Sequence, residues 1–363
     1  MEYAASPRVA LPGAPPRKVA GERAKPTLIV GLAGGTHVGE SLLRSLQQQD
    51  ERGDLLAADA AFQGPSWQRR FHWYLRGRRP ARLAPFSQHV VEAARRSGTA
   101  VLLSTGIAPV SAEALKALRR EGVRLVNFST DDPWNPRHRA GWFLKALPHY
   151  DVVFTTRMAN VEDFRRHGVR DVQYLPFGYD PRHCVGPEPD EAERERLACD
   201  VLFVGGADRD RAPVVRALVR AGLDVALYGG YWERHADLRA VSRGIGTPDA
   251  VRRATLAARV VLVLVRRANR DGHTMRSVEA GAIGACLLVE DTVEHRALYG
   301  PEGEAAVYFG SAYEMVQKAR ALLGATAERE RLAAAVRERI RGGAHSYDDR
   351  LAVMLRHGIE HAR

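Results

Sequence analysis

The stretch Asp200-Val-Leu-Phe-Val-Gly-Gly-Ala-Asp-Arg-Asp-Arg211 decides how this chain is read. An apolar run over 200–204 meets two glycines and then a helical pattern over 212–221, which is the pattern of a buried strand feeding a helix. The same succession occurs earlier. A strand over 27–32 gives way to Ala33-Gly34-Gly35-Thr36-His37 and a helix over 38–49. From the earlier start the alternation runs on through strands at 100–104, 124–128 and 151–154 and helices at 111–121 and 159–167. Gly122 and Gly168 end those helices, as C-caps do. From the later start it runs through strands at 224–228, 260–265, 286–289 and 305–308, then helices at 312–323, 327–341 and 348–356. Between the two series, Pro176, Gly178, Pro181, Gly186, Pro187 and Pro189 crowd one segment, which reads as a domain linker. Alternating strands and helices predict parallel sheets covered on both faces, so the expected fold is α/β with two Rossmann-like, doubly wound domains facing a central cleft.

The 363 residues suffice for two domains with a core each. A composition of 45% hydrophobic and 27% charged residues belongs to globular proteins. The longest apolar run, 260–265, is far shorter than the roughly 20 residues of a membrane-spanning helix. Residues 1–26, rich in Pro, Ala and Arg, carry no apolar core of a signal peptide and read as a disordered lead-in. Cys184, Cys199 and Cys286 show no metal-knuckle or redox spacing, so neither disulfides nor zinc are expected, and the expected compartment is the cytoplasm. The net charge of +11 lies mostly in the first half, where residues 1–180 hold 26 Lys and Arg against 17 Asp and Glu. Such a field attracts nucleic acid, anionic membranes or phosphorylated ligands, and a generally Arg-rich composition explains it equally well.

Ligands of open parallel sheets bind beyond the carboxyl ends of the strands, so the strand-end loops hold the candidates. Gly205 and Gly206 permit close approach of backbone amides to a phosphate, and Arg211 at the next helix start can neutralise a diphosphate. A plain strand-to-helix turn is the alternative. The stretch Asp271-Gly-His-Thr-Met-Arg-Ser-Val-Glu279 opens a helix between two buried strands and offers His273, Thr274, Arg276 and Glu279. Arg276 and Glu279 share a helix face. The carboxylate suits two ribose hydroxyls and the guanidinium a phosphate, against the alternative of a solvated helix pair. In the first half, Gly35 and His37 occupy the first strand's turn, and Asp131-Asp132-Pro133-Trp134 follows a later strand. A neutral imidazole or a carboxylate there can accept an acceptor's hydroxyl proton while Trp134 stacks on a sugar. The competing readings are a turn histidine and an Asx cap. The segment 67–82 interleaves Trp67, Phe71, Trp73 and Tyr74 with six arginines. The sequence favours an amphipathic helix packing its rings on the domain over a surface for a glycolipid interface or phosphorylated acceptor.

Several ordered blocks, 116–133, 150–154, 175–181 (LPFGYDP), 200–211, 276–290 and 345–350 (HSYDDR), resemble the CgeB-like, spore-maturation-protein-like group within the GT-B glycosyltransferases. The resemblance spans about 27–361. It implies transfer of a sugar from a nucleoside-diphosphate sugar to an acceptor hydroxyl. The acceptor domain would be 27–180, the nucleotide-sugar domain 181–345, and 346–363 a helix packing back toward the first domain. Glu279 matches the ribose-binding Glu of the retaining enzymes, and Tyr228, Gly229 and Ile245 match loops near the nucleobase. His37 matches the base of inverting enzymes, and Asp132, with Asp131 beside it, is favoured over His37 because its block recurs in the group. Gly272 stands where many retaining enzymes carry a second Glu, which leaves the stereochemistry open. No metal or other cofactor is expected. The acceptor is a small molecule, a glycan or an anionic glycolipid, with no nucleic acid and at most peripheral membrane contact. A GT-B sugar-nucleotide epimerase and a non-catalytic nucleotide-sugar-binding or structural protein are the alternatives.

Overall fold

The computed structural model describes residues 26–360, and the expected lead-in lies outside the described residues except for Pro26. The described chain divides into two units, one of residues 26–176 with 347–360 and one of residues 177–346.

The first unit contains β1 (Thr27–Gly31), α1 (Val38–Gln48), β2 (Gly53–Ala57), α2 (Ser66–Leu75), α3 (Leu83–Ser97), β3 (Val101–Thr105), α4 (Ala112–Arg120), β4 (Arg124–Ser129), α5 (Gly141–Ala146), β5 (Val152–Thr155), α6 (Met158–Arg166) and β6 (Val172–Tyr174). All six strands are parallel, in the order β2-β1-β3-β4-β5-β6. Alternate side chains of each strand enter opposite layers. Leu28, Val30, Leu102 and Leu125 pack against Val90, Leu115, Phe143 and Phe164 on one face. Ile29, Leu103, Val126 and Phe128 meet Leu42 and Leu46 of α1, together with Leu351 and Met354 of the chain's last helix, on the other. Burial on both faces is why these strands read as continuous apolar runs. The edge strands β2 and β6 are absent from the expectation because neither has such a run: β2 is Gly-Asp-Leu-Leu-Ala with Asp54 exposed, and β6 has three residues.

The second unit contains α7 (Pro181–Cys184), α8 (Glu191–Leu197), β7 (Cys199–Val204), α9 (Arg211–Arg220), β8 (Val225–Tyr228), α10 (Pro248–Ala257), β9 (Ala258–Val263), α11 (Met275–Ile283), β10 (Leu287–Glu290), α12 (Val293–Tyr299), β11 (Val307–Phe309), α13 (Ala312–Gly324) and α14 (Thr326–Gly342). Its five parallel strands take the order β11-β10-β9-β7-β8. The last helix, α15 (Tyr347–Glu360), belongs to the first unit. There the Arg350 guanidinium is 1% exposed and donates from Nε to the Pro176 carbonyl at 2.7 Å. Its burial pulls the pKa down to about 10 against the opposing charge of Asp349.

Among the described residues no helix is long and apolar enough to cross a membrane. All three cysteines are free and buried, and burial pushes their thiols up.

Candidate functional site

Each sheet has one place where successive connections leave a strand in opposite directions, and crevices form there. In the first unit this place lies between β1 and β3, and a pocket of about 380 Å³ opens at it. His37, Val38 and Gly39 enter from the turn after β1, Thr105 to Ala108 from the end of β3, and Thr130 and Asp131 from the end of β4. Phe62, Trp73, Trp142, Arg78 and His138 complete the wall. The turn after β1 is shaped by its glycines: Gly34 and Gly35 take φ values of 78° and 56°, and Gly34 N donates to Glu40 Oε2 at 3.0 Å. His37, the residue capping α1, is exposed, and its amide donates to Gly34 O at 3.3 Å.

The Asp131-Asp132 pair divides sharply. Asp131 lines the pocket, half-buried. Asp132 is 1% exposed, and its Oδ1 accepts from the Trp134 amide at 3.0 Å and from Asn160 Nδ2 at 2.9 Å. The aspartate favoured by the sequence is thus committed to the turn, and the one weighed second faces the cavity. Trp134 is likewise turned away from a stacking role: it packs edge-on against Phe164 at 4.9 Å and His167 at 6.1 Å, and neither it nor Gly35 lines the pocket. Sequence reasoning passed over Phe62 and Trp142. The Trp142 indole donates to the Arg78 carbonyl at 3.1 Å, and Arg78 Nη1 donates to the Arg139 carbonyl at 3.0 Å, tying the loop after α2 to the segment that enters α5.

In the second unit the corresponding place lies between β7 and β9. Gly205 follows β7, its amide bonds to Tyr228 O at 2.7 Å, and its carbonyl accepts from the Trp232 indole at 2.8 Å. Gly229 takes φ 140°, and a Cβ there would lie 2.3 Å from the Gly205 carbonyl oxygen, so the two loops touch backbone to backbone. Gly206 also lies in this contact, 3.3 Å being the distance its Cβ would have to Gly230 O. Tyr228 is buried beneath Gly246, whereas Ile245 is 85% exposed.

Arg211 is 6% exposed in this place. Nη2 donates to Leu264 O at 3.2 Å, the guanidinium stands 5.6 Å from the Phe203 ring centroid, and Nε has no hydrogen-bond partner, the Asp208 carboxylate lying 3.7 Å away. Burial, with Arg266 beside it, pulls the pKa of Arg211 below its ordinary value despite Asp208. A desolvated cation with an unused donor is costly alone and suited to an anion.

Arg276 and Glu279 lie in the opening turns of α11 and form an ion pair, the carboxylate nearly buried and the guanidinium 37% exposed. A small cavity of about 20 Å³ adjoins them, walled by Val204, Val263 and Ile283. His273 is spent elsewhere. It is fully buried, Nε2 accepts from the Phe177 amide at 3.1 Å, and Nδ1 therefore donates to Glu294 Oε2 at 2.6 Å. Its assignment as a donor-binding residue is corrected to one of holding the loop. Thr274 serves as the cap of α11, its amide donating to Ser277 Oγ at 3.0 Å. Ser277 Oγ in turn donates to Nε2 of His295 at 2.8 Å, and His295 Nδ1 donates to Glu290 O at 2.7 Å. Burial lowers the His295 pKa to about 3, which keeps the imidazole neutral as this relay requires. Thr292 closes the clamp by donating to Gly272 O. Glu294 and His295 escaped the sequence reading, and the Thr-x-x-His cap that opens α12 at Thr292 was the one available signal. Gly272 has a local reason too: a Cβ there would meet the Glu294 carboxyl carbon at 2.4 Å, so any side chain at this position would require the Glu294 carboxylate that holds His273 to shift. Among the described residues no group of three or more His, Cys, Asp or Glu is placed to hold a metal.

Two parallel Rossmann-like sheets, each with loops gathered at a topological switch point, define the fold of GT-B proteins. The family described as glycosyl transferase-like matches residues 209–356. No curated protein sequence matches the chain. Sucrose-phosphate synthase from Thermosynechococcus elongatus has a TM-score of 0.65 at 14% identity, covering 92% of this chain and 98% of its own. HepE of Anabaena in complex with UDP-glucose gives 0.61 at 13%, covering 92% and 99%. A putative UDP-N-acetylglucosamine 2-epimerase from Listeria monocytogenes gives 0.57 at 14%, covering 93% and 96%.

Proposed function

We propose that this protein is a glycosyltransferase that moves a hexosyl group from a nucleoside-diphosphate sugar to an acceptor hydroxyl. The observation that carries the reading is Arg211, buried beside the Gly205 and Gly206 loop with its Nε unpartnered. A diphosphate supplies the acceptor oxygens that Nε lacks, at a cation whose one nearby carboxylate, Asp208, stands 3.7 Å off. Arg276 adds a second guanidinium at a helix N-terminus, where the helix dipole also favours an anion, and Glu279 takes the ribose hydroxyls. The likeness to HepE, solved with UDP-glucose, supports a nucleoside-diphosphate sugar as the ligand, and the glycosyl transferase-like match over 209–356 falls mostly on the second unit. These arginines supply the charge that a metal provides in other transferases, so chelation leaves turnover unchanged.

The acceptor occupies the pocket of the first unit. His37 acts there as the base, with Asp131 orienting the hydroxyl or the imidazole, because Asp132 is consumed by Trp134 and Asn160. The ordered sequence blocks support membership of the CgeB-like group, and the three free, buried cysteines fit a reducing, cytoplasmic location.

The test is a thermal-shift screen against UDP, GDP, dTDP and CDP on the wild type and on Arg211→Met. A ligand that binds only the folded chain raises Tm. One nucleotide is expected to stabilise the wild type and to lose roughly ten- to a hundredfold in affinity for Arg211→Met, the worth of a charge-assisted contact. No shift in the wild type, or an equal shift in the variant, sinks the donor site. Turnover of the nucleotide sugar to an isomer without any acceptor identifies an epimerase instead.

A further inference from the structure

The sequence favoured a helix over 67–82 that buries its rings, and the structure places them outward. No residue of α2 (Ser66–Leu75) is buried. Trp67, Phe71, Tyr74 and Leu75 follow the i, i+4, i+7, i+8 spacing of one helix face and are 67%, 44%, 78% and 75% exposed. An apolar stripe at helical spacing ordinarily faces a core, and this one faces solvent. Arg69, Arg70 and Arg76 are exposed around it, with Arg78, Arg79 and Arg82 directly following, and no Asp or Glu occurs from residue 60 to residue 91.

We infer that α2 is a docking surface for an anionic lipid bilayer. The charge and the stripe together select this occupant. Tryptophan and tyrosine settle where an apolar layer meets water, arginine pairs with lipid phosphates, and a helix with both lies in the interface plane. A second copy of the chain would set six arginines against six with no acidic partner. Residues 1–25 hold five Lys and Arg against two Glu and do not complement the surface either. Single-stranded RNA also attracts arginine and aromatic rings. The exposed Leu75 and the one-sided stripe favour a continuous apolar layer over stacked bases. The surface adjoins the pocket of the first unit, since Trp73 of α2 and Arg78 after it line that pocket. Docking itself requires no transferase activity. If the acceptor assignment above also holds, the acceptor is taken from the lipid surface.

Flotation of the full chain with vesicles tests the inference, comparing phosphatidylcholine alone with mixtures containing phosphatidylglycerol. Binding is expected only to the anionic vesicles, and added salt weakens it. The variants Trp67→Ser/Phe71→Ser/Tyr74→Ser and Arg69→Gln/Arg70→Gln each lose roughly tenfold or more of it, with Tm unchanged. Brominated phosphatidylcholine mixed into the anionic vesicles quenches tryptophan fluorescence of the wild type, which needs no variant to fold. Absent flotation, absent quenching, undiminished flotation of either folded variant, or capture by single-stranded RNA with vesicles unbound overturns the proposal. Nucleotide thermal shifts on the same samples separate the two readings. A retained shift without flotation removes only the docking surface, and flotation without a shift removes only the donor site.

Discussion

The two switch points of this molecule share a topology and differ in chemistry. The one between β1 and β3 opens a pocket of about 380 Å³ walled by Phe62, Trp73 and Trp142, with His37 and Asp131 at strand ends. At the one between β7 and β9 stands the buried Arg211 beside Gly205, with a cavity of about 20 Å³ at Arg276 and Glu279 nearby, while the glycine loops after β7 and β8 touch backbone to backbone on the far side of β7. A roomy aromatic pocket with titratable groups suits a variable, largely apolar partner and proton transfer. A cationic place with an unpartnered guanidinium donor suits a constant anionic partner. Loop residues set this division, because the parallel sheets beneath are alike.

The comparison breaks most visibly at His37. If the first pocket handles the acceptor's proton, His37→Ala lowers kcat by about 10²- to 10⁴-fold while nucleotide affinity stays at the wild-type value. Asp132→Ala should behave differently, lowering Tm by removing the carboxylate that holds the Trp134 amide and Asn160. Steady-state kinetics and melting curves on both variants decide the matter. A His37 variant with normal kcat, or an Asp132 variant with normal Tm and lost turnover, would reverse the two assignments.

The second largest effect concerns how the anion place is held rigid. His295 is buried neutral, with its pKa near 3 where an unfolded imidazole has about 6.5. Its contribution to stability is therefore complete above pH 6.5 and is lost as pH falls toward 3, because the unfolded chain takes up a proton that the folded chain refuses. The loss over that window approaches roughly 5 kcal/mol. Denaturation measured from pH 7 to pH 4 should show this decline, and His295→Asn should flatten it by about one proton. Equal slopes in both proteins would mean that the Ser277 relay is not what the acid limb reports.

Both sheets were legible in the sequence because strands buried on two faces leave uninterrupted apolar runs and their helices end in glycine. The edge strands β2 and β6 left no such run. Arg211, Gly205 and Glu279 stood out as candidates because a strand followed by glycine and a helix start limits where a ligand can sit. What periodicity cannot give is the direction of a side chain within a loop. Asp131 and Asp132 are adjacent and chemically identical, and only the turn decides that one faces the cavity and the other Asn160. His273 is similar: its neighbour Arg276 marks a site, but its own nitrogens meet Phe177 and Glu294, residues 96 and 21 positions away. The α2 stripe was recognised as amphipathic, and nothing in its spacing says whether the apolar face meets a core or the outside.

The smallest expected change in fold stability is the most discriminating for the second switch point. An Arg and a Glu three apart on a helix are ordinarily worth a few tenths of a kcal/mol to the helix. Glu279 is nearly buried, while Arg276 retains contact with water and keeps its hydration when the carboxylate leaves. Glu279→Gln should therefore cost the fold no more than about 1 kcal/mol. A solvated helix pair predicts nothing further. A ribose contact predicts that nucleotide affinity falls roughly three- to tenfold, since the amide puts an NH2 donor where the carboxylate has its second acceptor oxygen and removes the charge. Arg276, released from its partner, would then bind phosphate unopposed, so inorganic pyrophosphate should bind the variant at least as tightly as the wild type. Isothermal titration with the nucleotide and with pyrophosphate separates the two cases. Parallel losses for both ligands would show that Glu279 supports Arg276 and does not touch the ribose.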